Sequence, residues 1–148
     1  MPTPSEIRVF NRSVIEEYRT GNCEVTDPRL QGVPLVLLTT TGARTGRPHT
    51  TPLAYFGDGP GRIVLWASAM AADLHPAWYH NLAAHPQVRL ELATQAGAVR
   101  RFDDTAHTAT GGERERLYGV LAATRPEIAA HQDRTTRQIP LVVVQYQR

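Results

Sequence analysis

Between Val33 and Tyr146 the chain carries about six strand-length apolar or alternating segments, punctuated by glycine and proline turns. Val33 to Thr40 reads as a buried strand, His49 to Phe56 as a second and Arg62 to Ser68 as a third. Gly57-Asp58-Gly59-Pro60-Gly61 is the hairpin signal between the last two, so these three strands are expected to form a meander. Val88, Leu90 and Leu92 alternate with Arg89 and Glu91, the period of a half-buried strand. Gln95-Ala96-Gly97 then turns into a strand from Val99 to Thr105, and Ile139 to Tyr146 supplies the last one. Mostly hairpin-linked strands, with helices inserted among them rather than alternating, argue for an α+β fold built around an antiparallel barrel with flanking helices.

The helical segments follow from periodicity. Thr3-Pro4-Ser5-Glu6 has the spacing of a capping box with proline at the first helical position, and Ile7, Phe10, Val14 and Tyr18 recur at helical intervals until Gly21. Arg8, Arg12 and Arg19 are offset by Glu6, Glu16 and Glu17 on the polar side, which favours packing on the core over lying on a membrane surface. After a turn-rich stretch through Asp27-Pro28 and Gly32, the next helix is short, from His75 to Ala84, with Trp78 and Leu82 on one face. Glu113 to Ala123 carries Leu117, Val120 and Leu121, and Pro126 breaks that helix before a second piece ending near Arg134.

At 148 residues and 41% hydrophobic, the chain suits one domain, 1–148, with the first 32 residues as a helix and lead-in. A net charge of +2, from 16 basic and 14 acidic residues, is too balanced for a protein built to neutralise a nucleic-acid backbone. All the basic residues are arginine, so each cation is a planar fork suited to phosphate and carboxylate. The lone Cys23 has no partner for a disulfide, no secretory pattern is visible and the apolar runs are strand-sized, so a soluble cytoplasmic protein is expected.

Thr39-Thr40-Thr41-Gly42-Ala43-Arg44-Thr45-Gly46-Arg47-Pro48-His49-Thr50-Thr51-Pro52 joins the first two strands. Gly42 and Gly46 permit conformations that turn successive backbone amides toward one anion, and Arg44 and Arg47 can add bidentate, charge-assisted bonds. On local chemistry, an anion-binding loop and an ordinary solvated turn are equally available. Other chemistries fit less well. His75, His80 and His85 follow at five-residue spacing, which rotates helical side chains apart, so no metal is expected. Ser13 and Ser68 lack a glycine-flanked nucleophile elbow. Arg44 to His49 has the composition of a minor-groove hook but lies between strands.

TTTGARTGRPHTTPL, VLWAS, HPAWYHNLAAHPQV and RQIPLVVV, in that order, resemble the signature segments of the deazaflavin-dependent nitroreductase family of actinobacteria. The similarity runs from about Val33 to the C-terminus. It implies a split β-barrel of the flavin-reductase, FMN-binding type and the coenzyme F-420, an 8-hydroxy-5-deazaflavin whose phosphate and glutamyl tail would lie on the arginine loop. Carried over by position, Arg44, Thr45 and Gly46 would take the anionic tail, with Arg47 beside them, and His49, Thr50, Thr51, Pro52 and Leu53 would line the next stretch. Ala67, Ser68 and Ala69 would approach the ring, as would Trp78, Tyr79, His80 and Asn81.

Two departures accompany the resemblance. The family usually continues after Ala67-Ser68 with lysine or asparagine and paired glycines, whereas this chain has Ala69-Met70-Ala71-Ala72. Ile128 and His131 stand where family members use tyrosines toward the acceptor. The resulting expectation is an oxidoreductase that passes a hydride from the reduced deazaflavin to a small electron-poor acceptor: a quinone, an activated alkene or a nitro compound. Ser68 and His131 would be catalytic, and His131, with Ile128, would also meet the substrate. The alternatives are a deazaflavin carrier without turnover and an FMN-binding split barrel. No nucleic acid and no membrane span are expected; a homodimer is, with at most weak peripheral membrane association.

Overall fold

The computed structural model describes residues 4–20, 33–93 and 98–146. The Thr3 cap, the turns at Asp27-Pro28 and Gly32, Cys23 and the turn at Gln95 to Gly97 lie outside the described residues. Among the described residues, seven strands form one antiparallel sheet: β1 (Leu35–Thr41), β2 (Pro48–Ala54), β3 (Phe56–Gly57), β4 (Arg62–Trp66), β5 (Gln87–Ala93), β6 (Val99–Thr108) and β7 (Leu141–Gln145). The helices are α1 (Pro4–Thr20), α2 (Ala77–Ala84), α3 (Gly111–Thr124) and α4 (Pro126–Ala129), with 3-10 turns at Ala69–Ala71 and Ala130–Arg134.

The strand order is β2-β1-β5-β6-β7-β4-β3, so β2 and β3 are the two edges. Only Tyr55 separates them in the chain. Two residues apart, the Cα atoms of Ala54 and Phe56 cannot be more than about 7 Å from each other, so the sheet must curl until its edges meet. The α+β barrel expectation holds, but the meander does not. β1–β2 and β3–β4 are hairpins, whereas β4 pairs with β7 and β1 with β5. The reason is burial on both faces. Ile63 and Leu65 of β4 and Val142 and Val144 of β7 fill the barrel, while Val64, Leu141 and Val143 point outward under Leu117 and Leu121 of α3 and Ala129 of α4. Strands apolar on both faces belong in the middle of a sheet, which is where β4 and β7 lie. Strand β7 begins two residues later than expected because Pro140 has no N–H for the ladder.

Two expectations about polar residues are overturned. Arg19 is not on a solvated face balanced by its own helix; its guanidinium forks onto Glu91 of β5, Nε to Oε1 at 2.8 Å and Nη2 to Oε2 at 2.7 Å. Glu91, read as outward-facing, is 1% exposed because α1 covers that part of the strand. With Val14 and Tyr18 buried and the Tyr18 hydroxyl donating to the Leu35 carbonyl at 3.0 Å, the C-terminal half of α1 is fastened to the barrel. Ile7, expected on the same apolar face, is exposed.

Candidate active site

The β1–β2 loop is a tight hairpin. The Gly42 amide donates to the Arg47 carbonyl at 2.7 Å and the Gly46 amide to the Gly42 carbonyl at 2.9 Å. The two glycines are required for different reasons. A Cβ at Gly42 would meet Thr45 Oγ1 at 2.6 Å, and Gly46 has φ +69°. Asn81 of α2 ties the loop down, accepting from the Ala43 amide at 3.0 Å and donating to Thr40 Oγ1 at 3.1 Å. The Arg47 amide turns onto Thr45 Oγ1. The expected cradle of free amides is therefore not what the loop offers, because four of its amides are already bonded at home. What it presents outward is the Arg44 side chain.

Arg44, Thr45, His49, Thr50 and Thr51 form one wall of a cleft of about 900 Å³, and Trp78, His80 and Asn81 of α2 form another. Arg8, Asn11, Arg12 and Ile15 of α1 complete it, a contribution missed in the sequence reading. Its signal was there: residues 8, 12 and 15 make a stripe at helical spacing that combines cations with an apolar residue. Eight other arginines are engaged. Arg19, Arg62, Arg89, Arg101, Arg116 and Arg125 face carboxylates, and Arg114 and Arg137 face backbone carbonyls. Among the described residues Arg8, Arg12 and Arg44 make no ion pair with a carboxylate, as is also true of Arg47, Arg100 and Arg134, which lie outside the cleft, so three cations free of ion pairs converge on one cleft.

Trp78 also lines a second, mostly apolar pocket of about 170 Å³, together with Leu53, Leu65 and Trp66. Ser68, Ile128 and His131 meet there although 60 residues and more separate the first from the others in sequence. Ser68, 5% exposed, places Oγ 2.5 Å from His131 Nδ1 and accepts from the Ala71 amide at 3.1 Å. Tyr55, Met70 and Arg125, not foreseen as site residues, line the same pocket. Other expected residues lie apart. Gly46, Arg47 and Pro52 line neither cavity, Ala67 is buried in the barrel, and Tyr79 turns its hydroxyl to Thr108 Oγ1 at 2.9 Å. Ala69 flanks Ser68 in a left-handed conformation, φ 48°.

Burial, then the Arg134 guanidinium, hold His131 below the ordinary imidazole range; burial, then Arg137 and His80, do the same to His75. The unfolded chain takes up these protons near pH 6.5, the folded chain only at lower pH, so stability falls as pH drops through 6.5. Unfolding midpoints measured from pH 7.5 to 5.5 should decline, and the decline should shrink in His75→Gln and His131→Gln. Among the described residues no group of histidine, cysteine and carboxylate side chains could hold a metal ion, and no helix is long and apolar enough to cross a membrane.

Comparison with known proteins places the chain in a family. An F420H(2)-dependent quinone reductase of Mycobacterium tuberculosis is 35% identical over 131 residues, covering 86% of this chain and 83% of that protein. A solved F420-H2 dependent reductase is 34% identical with a TM-score of 0.63, covering 75% of this chain and 93% of the other. A solved domain-swapped dimer is 31% identical with a TM-score of 0.66, covering 96% of this chain and 99% of the other. The sequence profile of the F420H(2)-dependent quinone reductases matches residues 10–146, and the chain belongs to that family.

Proposed function

We propose that the protein is an oxidoreductase that binds coenzyme F-420 in the cleft and reduces a quinone in the inner pocket. The observation that carries this reading is the convergence of Arg8, Arg12 and Arg44 on a cleft that shares its Trp78 wall with the pocket of the Ser68–His131 pair. The residues fit such a group: an anionic phosphate and glutamyl tail suits the three guanidinium forks, and a flat ring suits the Trp78 indole that lines both cavities. A quinone is favoured over a nitro compound or an activated alkene by the activity for which the family and the mycobacterial relatives are named. The cytoplasmic setting and self-association, as in the domain-swapped relative, belong to the same reading.

When bound, the reduced coenzyme supplies the hydride. The chain's own residues then handle the proton. Hydride addition to a quinone leaves a hydroquinone monoanion, which the Ser68 hydroxyl protonates while the Nδ1–H of protonated His131 replaces the proton on Oγ across their 2.5 Å contact. The apolar walls, Leu53 and Ile128 among them, exclude water from that exchange.

A fluorescence titration tests the reading. F-420 should bind more tightly than FMN, and Arg44→Ala should weaken it by about 1.5–3 kcal/mol, the worth of a hydrogen bond to a charged group, with a smaller loss at high salt. An unchanged dissociation constant at low salt would return the loop to an ordinary solvated turn, and binding without quinone turnover would make the protein a carrier.

A further inference from the structure

Ala69, Met70 and Ala71 have φ of 48°, 56° and 64°, and among the described residues they are the non-glycine positions with positive φ. An L side chain disfavours that region because Cβ crowds the following carbonyl, and three such residues in succession add the cost three times. Packing does not hold them there: Met70 is 85% exposed, and none of the three is buried. The turn's own bonds are the Ala71 amide to the Ser68 carbonyl at 3.0 Å and to Ser68 Oγ at 3.1 Å, and the Ala72 amide to the Ala69 carbonyl at 3.1 Å.

Arg137 restrains the turn from outside. Its Nη2 donates to the Ser68 carbonyl at 2.6 Å and the Ala67 carbonyl at 3.1 Å, and its Nε donates to the Ala72 carbonyl at 2.8 Å. Nη1 meets His75 Nδ1 at 2.9 Å. One planar fork thus grips both ends of the left-handed turn. The clamp is itself anchored, because Gln132, the neighbour of His131, donates to the Arg137 carbonyl at 2.7 Å and accepts from the Ile139 amide at 2.8 Å. We propose that Arg137 is a positioning residue: by holding the carbonyls of Ala67, Ser68 and Ala72 it keeps the left-handed Ala69–Met70–Ala71 turn wound and the Ser68 hydroxyl against His131. The inference deepens the proposed function, on which its link to turnover rests.

The test is whether glycine, which adopts positive φ freely, makes the clamp dispensable. In the ligand-free protein, the His131 imidazole is titrated by NMR in Arg137→Ala and in Arg137→Ala combined with Ala69→Gly, Met70→Gly and Ala71→Gly. Loss of the clamp should move the titration midpoint toward the ordinary value by at least half a pH unit, and the glycines should reverse most of that move. In quinone turnover, Arg137→Ala should lose about 30-fold in kcat with the F-420 dissociation constant within threefold, and the glycines should restore at least tenfold. A His131 titration that the clamp's loss leaves in place, or that the glycines do not return, overturns the proposal. Should Arg137→Ala not fold, the three glycines alone, with Arg137 present, should raise Tm by about 5 °C or more, and an unchanged or lower Tm overturns it equally. A normal NMR response in a protein that turns over no quinone would instead count against the proposed function and leave the clamp standing.

Discussion

Replacing Arg19 by alanine should lower the unfolding free energy by about 3 kcal/mol and weaken coenzyme binding in the same variant. Glu91 is 1% exposed and both its oxygens are held by the Arg19 fork. Without that fork the nearest cation is Arg101, whose Nε lies 3.7 Å from Oε1 on a side chain 66% exposed, too far for a good hydrogen bond. Losing one partner of a buried pair costs about 3–5 kcal/mol, and the lower end applies because Arg19 itself is 42% exposed and screened by water. The second effect follows from geometry. Arg12 sits two helical turns before Arg19 on α1, so loosening the anchor shifts Arg8 and Arg12 out of the cleft. Urea denaturation and an F-420 titration measure the two losses. Glu91→Leu paired with Arg19→Met should recover most of the stability, since it removes both charges together. A urea midpoint unchanged in Arg19→Ala would show that Glu91 finds its compensation elsewhere.

His131→Gln should bind F-420 normally and reduce a quinone about 100-fold more slowly, the low end for a general acid. Glutamine keeps polarity and approximate size but carries no transferable proton. The pH dependence adds a second check. Because burial and Arg134 hold His131 below its ordinary range, the proton-bearing form is the minor one at pH 7 and becomes the major one only below about 6.5. Turnover in the native protein should therefore rise as pH falls from 7.5 toward 5.5, within the range where the fold survives, and the His131→Gln profile should lose that rise. Equal rates in the two proteins across this range would mean that solvent supplies the proton.

The local rules of the chain were legible where one residue's chemistry sufficed. Gly46 announced its positive φ, the alternation of Val88, Leu90 and Leu92 announced β5, and Trp78 with Leu82 announced the buried face of α2. The antiparallel barrel followed from strand-length segments with hairpin signals, and the ordered signature segments led to the family, which the profile match over residues 10–146 bears out. Arg44, Thr45, His49, Trp78 and Asn81, which line one cleft, were named by position from the family resemblance, because the local chemistry of the glycine-hinged loop left an ordinary solvated turn equally open.

What depended on distant partners was not legible. Glu91 occupies a polar slot in an alternating strand, and no periodicity reveals that α1, more than 70 residues earlier, will bury it and supply Arg19. The meander failed for the same reason: hairpin signals report neighbours in sequence, while the pairing of β4 with β7 is settled by which strands are apolar on both faces and must share the interior. Ala69-Met70-Ala71 contains nothing that favours a left-handed turn, so its conformation is imposed from outside, by an arginine 65 residues away that reaches the Ala72 carbonyl. Short-range preferences are written residue by residue, but a charge without its partner, a strand without its neighbour and a strained turn without its clamp acquire their meaning only when the folded chain brings the other half alongside.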